Sequence, residues 1–547
     1  MTQGEFRQDG QNGAAGGPSL AAAGAPRRSP LAVDALVADI GSTTTVLNAF
    51  AGLGTPEPVC LGQGMALTSV DRGDVTLGLQ AALEDLQARL GRPVRWERFL
   101  ATSSAAGGLR LTVHGLVPEM TLRAAREAAL GAGGIVRQVT AGKMSSADLQ
   151  ELSRVQPRLI ILAGGVDYGE RETILFNARA LAEFLPQAGL AAVPVLYAGN
   201  VAARAEAVQI LASAGLQVRT TDNVYPRVDV LQVEPARRAI QELFEEHIVS
   251  GPGMEKVRRM IDGPILPTPG AVMLAAEILY QEIGDLVVLD VGGATTDVHS
   301  VTAGSPELAG RTMYPEPLAK RTVEGDLGVF ANAGHLLELF CRRLRQERRW
   351  PDWDLGGTLE AELREIPQSA IPGNAPGSRP GFAPGPGSAG PAPAGCGKLA
   401  RFVAAVPETA EQAGLSALLT WEACRVALER HAGFRRQLFS GTGGGTGQEI
   451  VEGRDLTAVR WVVGTGGALT RLPRHREILP AVLAAQSTQR SRFRPTAGGL
   501  QEPLLPPADA EVLLDEAYIM AACGVLSRLD AESARRLLVR YVVRRDG

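Results

Sequence analysis

Cysteine is scarce and scattered: Cys60, Cys341, Cys396, Cys424 and Cys523 are the five in a chain of 547 residues, and no two form a C-x-x-C pair. Neither a disulfide framework nor a zinc site is indicated by that spacing. Histidine is almost as sparse, with six residues and no H-x-x-x-H pair. Aromatic residues are 5% of the chain, the formal charge is −4, and no basic stripe with interleaved aromatics is present. A general nucleic-acid binder is excluded on those grounds, and the charge reads as ordinary solvated surface. No apolar run approaches the eighteen or so residues of a membrane span, and the first thirty residues lack the charged-then-apolar order of a signal peptide. The expectation is a soluble, cytoplasmic protein with no membrane partner.

Glycine and proline are abundant, at 64 and 35 residues, and their clustering marks the joints. Residues 1–33 form a Gly/Ala/Pro/Gln-rich stretch without apolar period, read as a disordered tail because it cannot bury enough surface to offset ordering. A second such break at about 367–397 includes Pro380-Gly381-Phe382-Ala383-Pro384-Gly385-Pro386-Gly387 and reads as a disordered surface insertion. Ser440 to Gly447 reads as a mobile connector. Length exceeds that of a single core, so two main domains are expected, 34–285 and 286–547.

Two strand ends carry the chemistry. Asp39-Ile40-Gly41-Ser42-Thr43-Thr44-Thr45 and Asp290-Val291-Gly292-Gly293-Ala294-Thr295-Thr296-Asp297 each follow an apolar run, Ala35-Leu36-Val37-Ala38 and Leu286-Val287-Val288-Leu289. Each turns through Gly into hydroxyl residues, the pattern of a strand-turn-strand hairpin whose hydroxyls and turn N–H groups can meet phosphate oxygens. The leading Asp39 and Asp290 can anchor a hydrated Mg²⁺, an ion that keeps several waters and takes one or two carboxylates plus phosphates. A third element, Arg460-Trp461-Val462-Val463-Gly464-Thr465-Gly466-Gly467-Ala468-Leu469, is a strand entering a Gly turn whose backbone could lie against an adenosine.

The order phosphate hairpin, phosphate hairpin, adenosine turn resembles the superfamily of actin, sugar kinases and heat-shock chaperones. The resemblance implies an α/β fold with two ribonuclease-H-like (actin-like ATPase) domains closing on ATP. Thr268-Pro269-Gly270-Ala271-Val272 with Ala275-Ala276, and Leu514 to Gly524, look like that superfamily's paired interdomain helices, whose small residues permit close pivoting. Carried onto this chain, Asp39 and Asp290 would hold Mg²⁺, while Gly41, Ser42, Thr43, Thr44, Gly292, Gly293, Ala294 and Thr295 would wrap phosphates. Gly464, Thr465, Gly466 and Gly467 would support adenosine. Asp290 or Asp297 would orient the attacking water, since phosphoryl transfer depends on positioning and charge neutralisation. Glu324-Gly325-Asp326 offers a further phosphate or ribose contact, with a helix N-cap as the alternative for Asp326. His299 reads as a core or rim histidine.

Between the hairpins lies an inserted α/β unit with the pattern β-α-β-α-β. Its strands are read at 158–163, 194–198 and 216–224, and the turns Gly164-Gly165 and Gly199-Asn200 stand at strand carboxyl ends, where open parallel sheets place ligands. Helix starts explain those glycines equally well.

Further strings narrow the resemblance: Ser103 to Leu109, the Ala-rich run Thr121 to Gly131, Leu162-Ala163-Gly164-Gly165-Val166-Asp167, Asn223-Val224-Tyr225-Pro226, Arg321 to Gly328 and Leu514 to Leu526. They are similar to the glutamate mutase accessory family, glutamate mutase L, from about residue 34 to the C-terminus. That resemblance implies an ATP-dependent reactivating chaperone whose partners are adenosylcobalamin-dependent mutase subunits. No D-x-H-x-x-G string is present to place an axial histidine, so cobalamin would sit on the partner. Two other classes share the fold: a small-molecule kinase, for which Asp167 is the nearest candidate base, and a nucleotide-gated, actin-like scaffold.

Overall fold

The computed structural model describes residues 29–69, 72–104, 109–248, 253–347, 350–365, 398–438, 448–490, 494–496 and 499–544. The expected tail up to residue 28, the Pro/Gly segment 367–397 and the Gly-rich 440–447 therefore fall outside the described residues. β1 (Leu31–Ile40) starts inside the stretch read as tail, because Leu31 N–H donates to Pro93 O and the strand finds a parallel partner from Val94 onward. It pairs antiparallel with β2 (Thr44–Ala51), which pairs antiparallel with β3 (Val59–Leu67), and it lies parallel to β4 (Val94–Ser103).

The chain then leaves for the insert: β5 (Arg110–Gly115), β6 (Ile135–Ala141), β7 (Leu159–Leu162), β8 (Val195–Tyr197) and β9 (Val218–Thr220). All five run parallel, in the order β6-β5-β7-β8-β9. Helices cover both faces of such a sheet, which is why β7 and β8 read as continuous apolar runs and are wholly buried. β10 (Ile265–Pro267) returns to pair with β4 and completes a sheet of order β3-β2-β1-β4-β10.

The second half repeats the first. β11 (Leu286–Val291), β12 (Thr296–Val301) and β13 (Ala319–Glu324) form an antiparallel meander. After β14 (Phe434–Leu438) and β15 (Gln448–Glu452) comes β16 (Trp461–Thr465), parallel to β11. β17 (Arg494–Thr496) and β18 (Gly499–Pro503) complete a separate antiparallel sheet of order β15-β14-β18-β17. β19 (Glu511–Leu514) lies parallel to β16, giving β13-β12-β11-β16-β19. Order and direction match the first sheet strand for strand. The architecture is α/β with mixed sheets.

One apolar core joins the two mixed sheets. Ala35, Val37, Phe50 and Leu100 from the first face Leu286, Val288, Val301 and Val463 from the second, with two helices between them. Those helices are Thr268–Ile283 and Met520–Leu526, the small-residue segments expected to pair. They cross so closely that a Cβ at Gly524 would lie 1.9 Å from the Ala271 carbonyl oxygen.

Candidate nucleotide site

The two hairpins are the same object built twice. Gly41 N–H donates to Thr44 O at 2.9 Å and Gly292 N–H to Thr295 O at 3.0 Å, so each turn closes in the same way. The next rungs are Ile40 with Thr45 and Val291 with Thr296, and Asp39 and Asp290 take the same position one residue further from the tip. Tip residues Gly41 to Thr44 and Gly292 to Thr295 remain partly or fully exposed while both stems are buried. The tips also face each other, since a Cβ at Gly293 would lie 2.9 Å from Thr43 Oγ1. Two sets of hydroxyls and turn amides, more than two hundred residues apart in sequence, are thus brought tip to tip.

The third element arrives beside the second hairpin because β16 pairs with β11, setting Thr465 opposite Asp290. Gly466 has φ +85°, and a side chain there would meet Asp290 Oδ1 at 2.5 Å. The space beside Gly464 is filled by Leu514 and Leu479, so close packing accounts for Gly464 and Gly466. Of the four residues expected to support adenosine, Gly467 is the exposed one, at the start of the short helix Gly467–Thr470. Thr465 is buried and donates from Oγ1 to Asp515 Oδ2 at 2.9 Å.

The carboxylates have different neighbours. Asp39 is 4% exposed, and its Oδ1 accepts from Thr102 Oγ1 at 2.8 Å and Thr268 Oγ1 at 2.6 Å, with the Tyr518 hydroxyl 3.4 Å from Oδ2. Burial pushes its pKa above the ordinary carboxylate value against those three hydrogen bonds. Asp297 is committed elsewhere: its Oδ1 accepts from Arg321 Nη2 at 2.6 Å and Nε at 3.1 Å, and its Oδ2 from Thr295 Oγ1 at 3.1 Å. Asp290 is partly exposed, and no described residue donates a side-chain hydrogen bond to its carboxylate. Its pKa is pushed up to about 8, first by burial and then by Asp297, Asp39 and Asp515, with Arg321 opposing. Of the two aspartates expected to orient water, Asp290 is therefore the one with free oxygens.

Among the described residues, no group of three or more His, Cys, Asp or Glu side chains has the arrangement to hold a metal ion unaided. Mg²⁺ carried mainly by waters and phosphates does not need one. Asp290, crowded by Asp297, Asp39 and Asp515, has surroundings in which a shared cation would offset carboxylate charge.

Five supporting residues carried no role in the sequence reading: Thr102, Thr268, Tyr518, Asp515 and Arg321. All but Thr102 sit inside recognised strings, but only the fold shows what they reach: Thr268 and Tyr518 approach Asp39, Arg321 holds Asp297 and Asp515 accepts from Thr465. Asp515 ties the site to the Met520–Leu526 helix by accepting Ile519 N–H at 2.8 Å and Met520 N–H at 3.0 Å. Glu324 and Asp326 both accept from Arg430, at 2.6 and 2.7 Å. Asp326 caps no helix, because the next one begins at Ala333. His299 is wholly buried with neither ring nitrogen hydrogen-bonded, and burial together with Arg321 holds its pKa well below the usual value. It is a neutral core histidine.

The insert's turns are packed shut. A Cβ at Gly199 would lie 2.4 Å from Ile174 Cδ1 and 2.9 Å from Gly164 N, and one at Gly165 would lie 2.3 Å from Glu170 O. Asp167 Oδ1 accepts from Val201 N–H and from Asn223 Nδ2, both at 2.9 Å, which ties it into that turn network.

A family model described as MutL protein matches residues 35–370 and 393–542. The chain belongs to the MutL family, glutamate mutase L. Protein MutL of Clostridium tetanomorphum is 34% identical over 520 residues, 93% of this chain and 99% of that protein. Among solved structures, nucleotide-free acetone carboxylase aligns over 90% of this chain and 70% of its own, with 14% identity and a TM-score of 0.39. Glycerol dehydratase reactivase aligns over 91% and 100%, with 12% identity and a TM-score of 0.29. Superpositions this loose transfer no residue roles. No helix among the described residues is long and apolar enough to cross a membrane.

Proposed function

We propose that this member of the MutL family is an ATP-hydrolysing reactivating chaperone for an adenosylcobalamin-dependent mutase, and that its two matched sheets belong to actin-like ATPase domains spanning about 34–285 and 286–547. The observation that carries the nucleotide reading is the pair of matching hairpins meeting tip to tip, Gly293 against Thr43. Hydroxyls of Ser42, Thr43, Thr44 and Thr295 and the turn amides would hold phosphate oxygens from two sides. Asp39 and Asp290 would hold a hydrated Mg²⁺, which supplies charge neutralisation at the phosphates. Asp290, with unengaged oxygens, would also orient the attacking water. Membership of the glutamate mutase L family supports the choice of client.

Motion follows from the same geometry. Hairpins from two domains gripping one phosphate chain favour a closed cleft, and phosphate release loosens one grip and lets the domains rotate about the Thr268–Ile283 and Met520–Leu526 helices. A radical enzyme blocked by damaged cobalamin needs a partner that opens it, and such rotation provides the stroke.

The test compares wild type with Asp290→Asn for ATP binding and hydrolysis, with and without purified mutase. The expected result is a folded variant with weaker Mg²⁺-dependent ATP binding and, at saturating ATP, turnover down by roughly 100-fold or more, as for loss of a positioned acid–base group. Normal hydrolysis by the folded variant removes Asp290 from the mechanism. ADP release that depends on a small hydroxylated substrate rather than on mutase would instead identify a kinase, and polymer scattering with ATP alone would identify a scaffold.

A further inference from the structure

The insert meets the second sheet along β13, where its helix Arg123–Gly131, the crossover from β5 to β6, packs. Charged side chains line that contact. Arg123 pairs with Glu316, and Lys320 with Glu316 at 2.9 Å and Glu127 at 3.5 Å, all largely buried. At its end stands Arg321, 2% exposed, which divides its guanidinium between two units. One edge holds Asp297 Oδ1. Nη1 donates to Leu130 O at 2.9 Å and Gly134 O at 3.3 Å, the carbonyls that end the helix and lead into β6.

An unbroken polar chain results, running from the phosphate tip to the insert: Thr295 Oγ1 to Asp297 Oδ2, Asp297 Oδ1 to Arg321, and Arg321 to Leu130 and Gly134. A pair that merely stabilised the second sheet would need Asp297 alone. Only a planar, multi-donor guanidinium serves a carboxylate and two carbonyls at once, so lysine is no substitute.

We infer that Arg321 is a positioning residue that orients Asp297 behind the phosphate tip and passes the state of that tip to the inserted α/β unit. This rests on the nucleotide reading above. When Thr295 engages a phosphate, its hydroxyl proton is drawn from Asp297, the carboxylate and Arg321 reset, and the 130–134 carbonyls follow. The insert thereby becomes the moving part that a client protein can feel.

Hydrogen exchange on the full-length protein with ATP–Mg²⁺ and with ADP–Mg²⁺ tests this, together with ATP-binding and turnover measurements, in wild type, Arg321→Lys and Arg321→Met. Wild-type amides across 130–136 should differ between the two nucleotides by roughly fivefold or more, the lower end of ordinary coupling between sites. Both variants should bind ATP yet lose that difference, while Arg321→Lys, which keeps a charge beside Asp297, should retain more turnover than Arg321→Met. Should Arg321→Met not fold, Arg321→Lys carries the test. Persistence of the nucleotide-dependent difference in the folded variants overturns the inference, as does its absence in a wild type that binds ATP. Equal loss of ATP binding and melting temperature in both would make Arg321 a structural residue only. Failure of wild type to bind ATP overturns the nucleotide reading itself and the inference with it.

Discussion

Replacing Gly524 with alanine should wedge apart the two helices that join the matched sheets. All seven residues of Met520–Leu526 are buried, and the new Cβ would lie 1.9 Å from Ala271 O, 2.5 Å from its C and 2.8 Å from its Cα. Carbon and oxygen pack near 3.5 Å, so the helices must separate by roughly 1.5 Å, and the obstacle is backbone that no rotamer change can clear. Overpacking of this kind costs about 1–3 kcal/mol. The upper end applies here, offset by up to ~1 kcal/mol from better helix propensity. A net loss of about 2 kcal/mol lowers Tm by roughly 2–6 °C in a chain of this size. Because the same crossing sets how the hairpins face each other, ATP affinity should fall as well. Thermal melts at a fixed scan rate and titration with a slowly hydrolysed ATP analogue provide the readouts. Gly334→Ala is the control: its Cβ meets nothing within 4 Å, so it should be neutral or slightly stabilising. Gly524→Ala with unchanged Tm and unchanged affinity would refute the close crossing and the hinge built on it. A bulkier residue at Gly524 would report packing failure rather than coupling.

Gly293→Val should leave stability within roughly 1 kcal/mol, because its nearest neighbour is the movable Thr43 hydroxyl, but should cut ATP affinity at least ~10-fold by filling the phosphate cleft; unchanged binding by calorimetry would show that phosphate does not lie there. Thr268→Val deletes the 2.6 Å hydrogen bond to Asp39 and should weaken Mg²⁺-dependent ATP binding by roughly 10–100-fold, as loss of a supporting partner does elsewhere; equal Mg²⁺ titration curves for the two proteins would contradict it. Lys320 offers a pH test, because burial lowers its pKa from 10.5 to about 8. Between those values the unfolded chain binds more protons, so wild-type stability rises with pH relative to Lys320→Met, by on the order of 3 kcal/mol in all. Urea unfolding at pH 7.5 and pH 10.5 measures it, and a constant difference between the two proteins would refute the assignment.

Local pattern was enough to reveal the two hairpins and the small-residue helices. Apolar runs ending in D-x-G and hydroxyl residues dictate strand, turn and strand through neighbours two to five residues apart, and Ala/Gly spacing marks a helix face that another backbone can approach. Three of the insert's five parallel strands, β7, β8 and β9, were legible, β7 and β8 as continuous apolar runs that lead to glycine, whereas β5 and β6 were not read. The nucleotide reading proposed above came from the order of those motifs along the chain.

Which oxygen is free and which is paired could not be read that way. As candidates to orient water Asp290 and Asp297 are equivalent on paper, and they differ because β13, paired with β12, brings Arg321 beside Asp297, which also accepts from Thr295. The glycines of the third element read as an adenosine support and those of the insert's turns as either ligand turns or helix starts; beside Gly464, Gly165 and Gly199 the space is taken by Leu479, Leu514, Ile174 and backbone atoms. Thr268 and Thr102 reach Asp39 by hydrogen bonds that span 229 and 63 residues of chain. Sequence alone determined the elements and the chemical groups they carry, since those depend on local sterics and periodicity. Tertiary structure alone decided partner, burial and charge, since desolvation and hydrogen bonding are set by residues that only the folded chain brings within 3 Å.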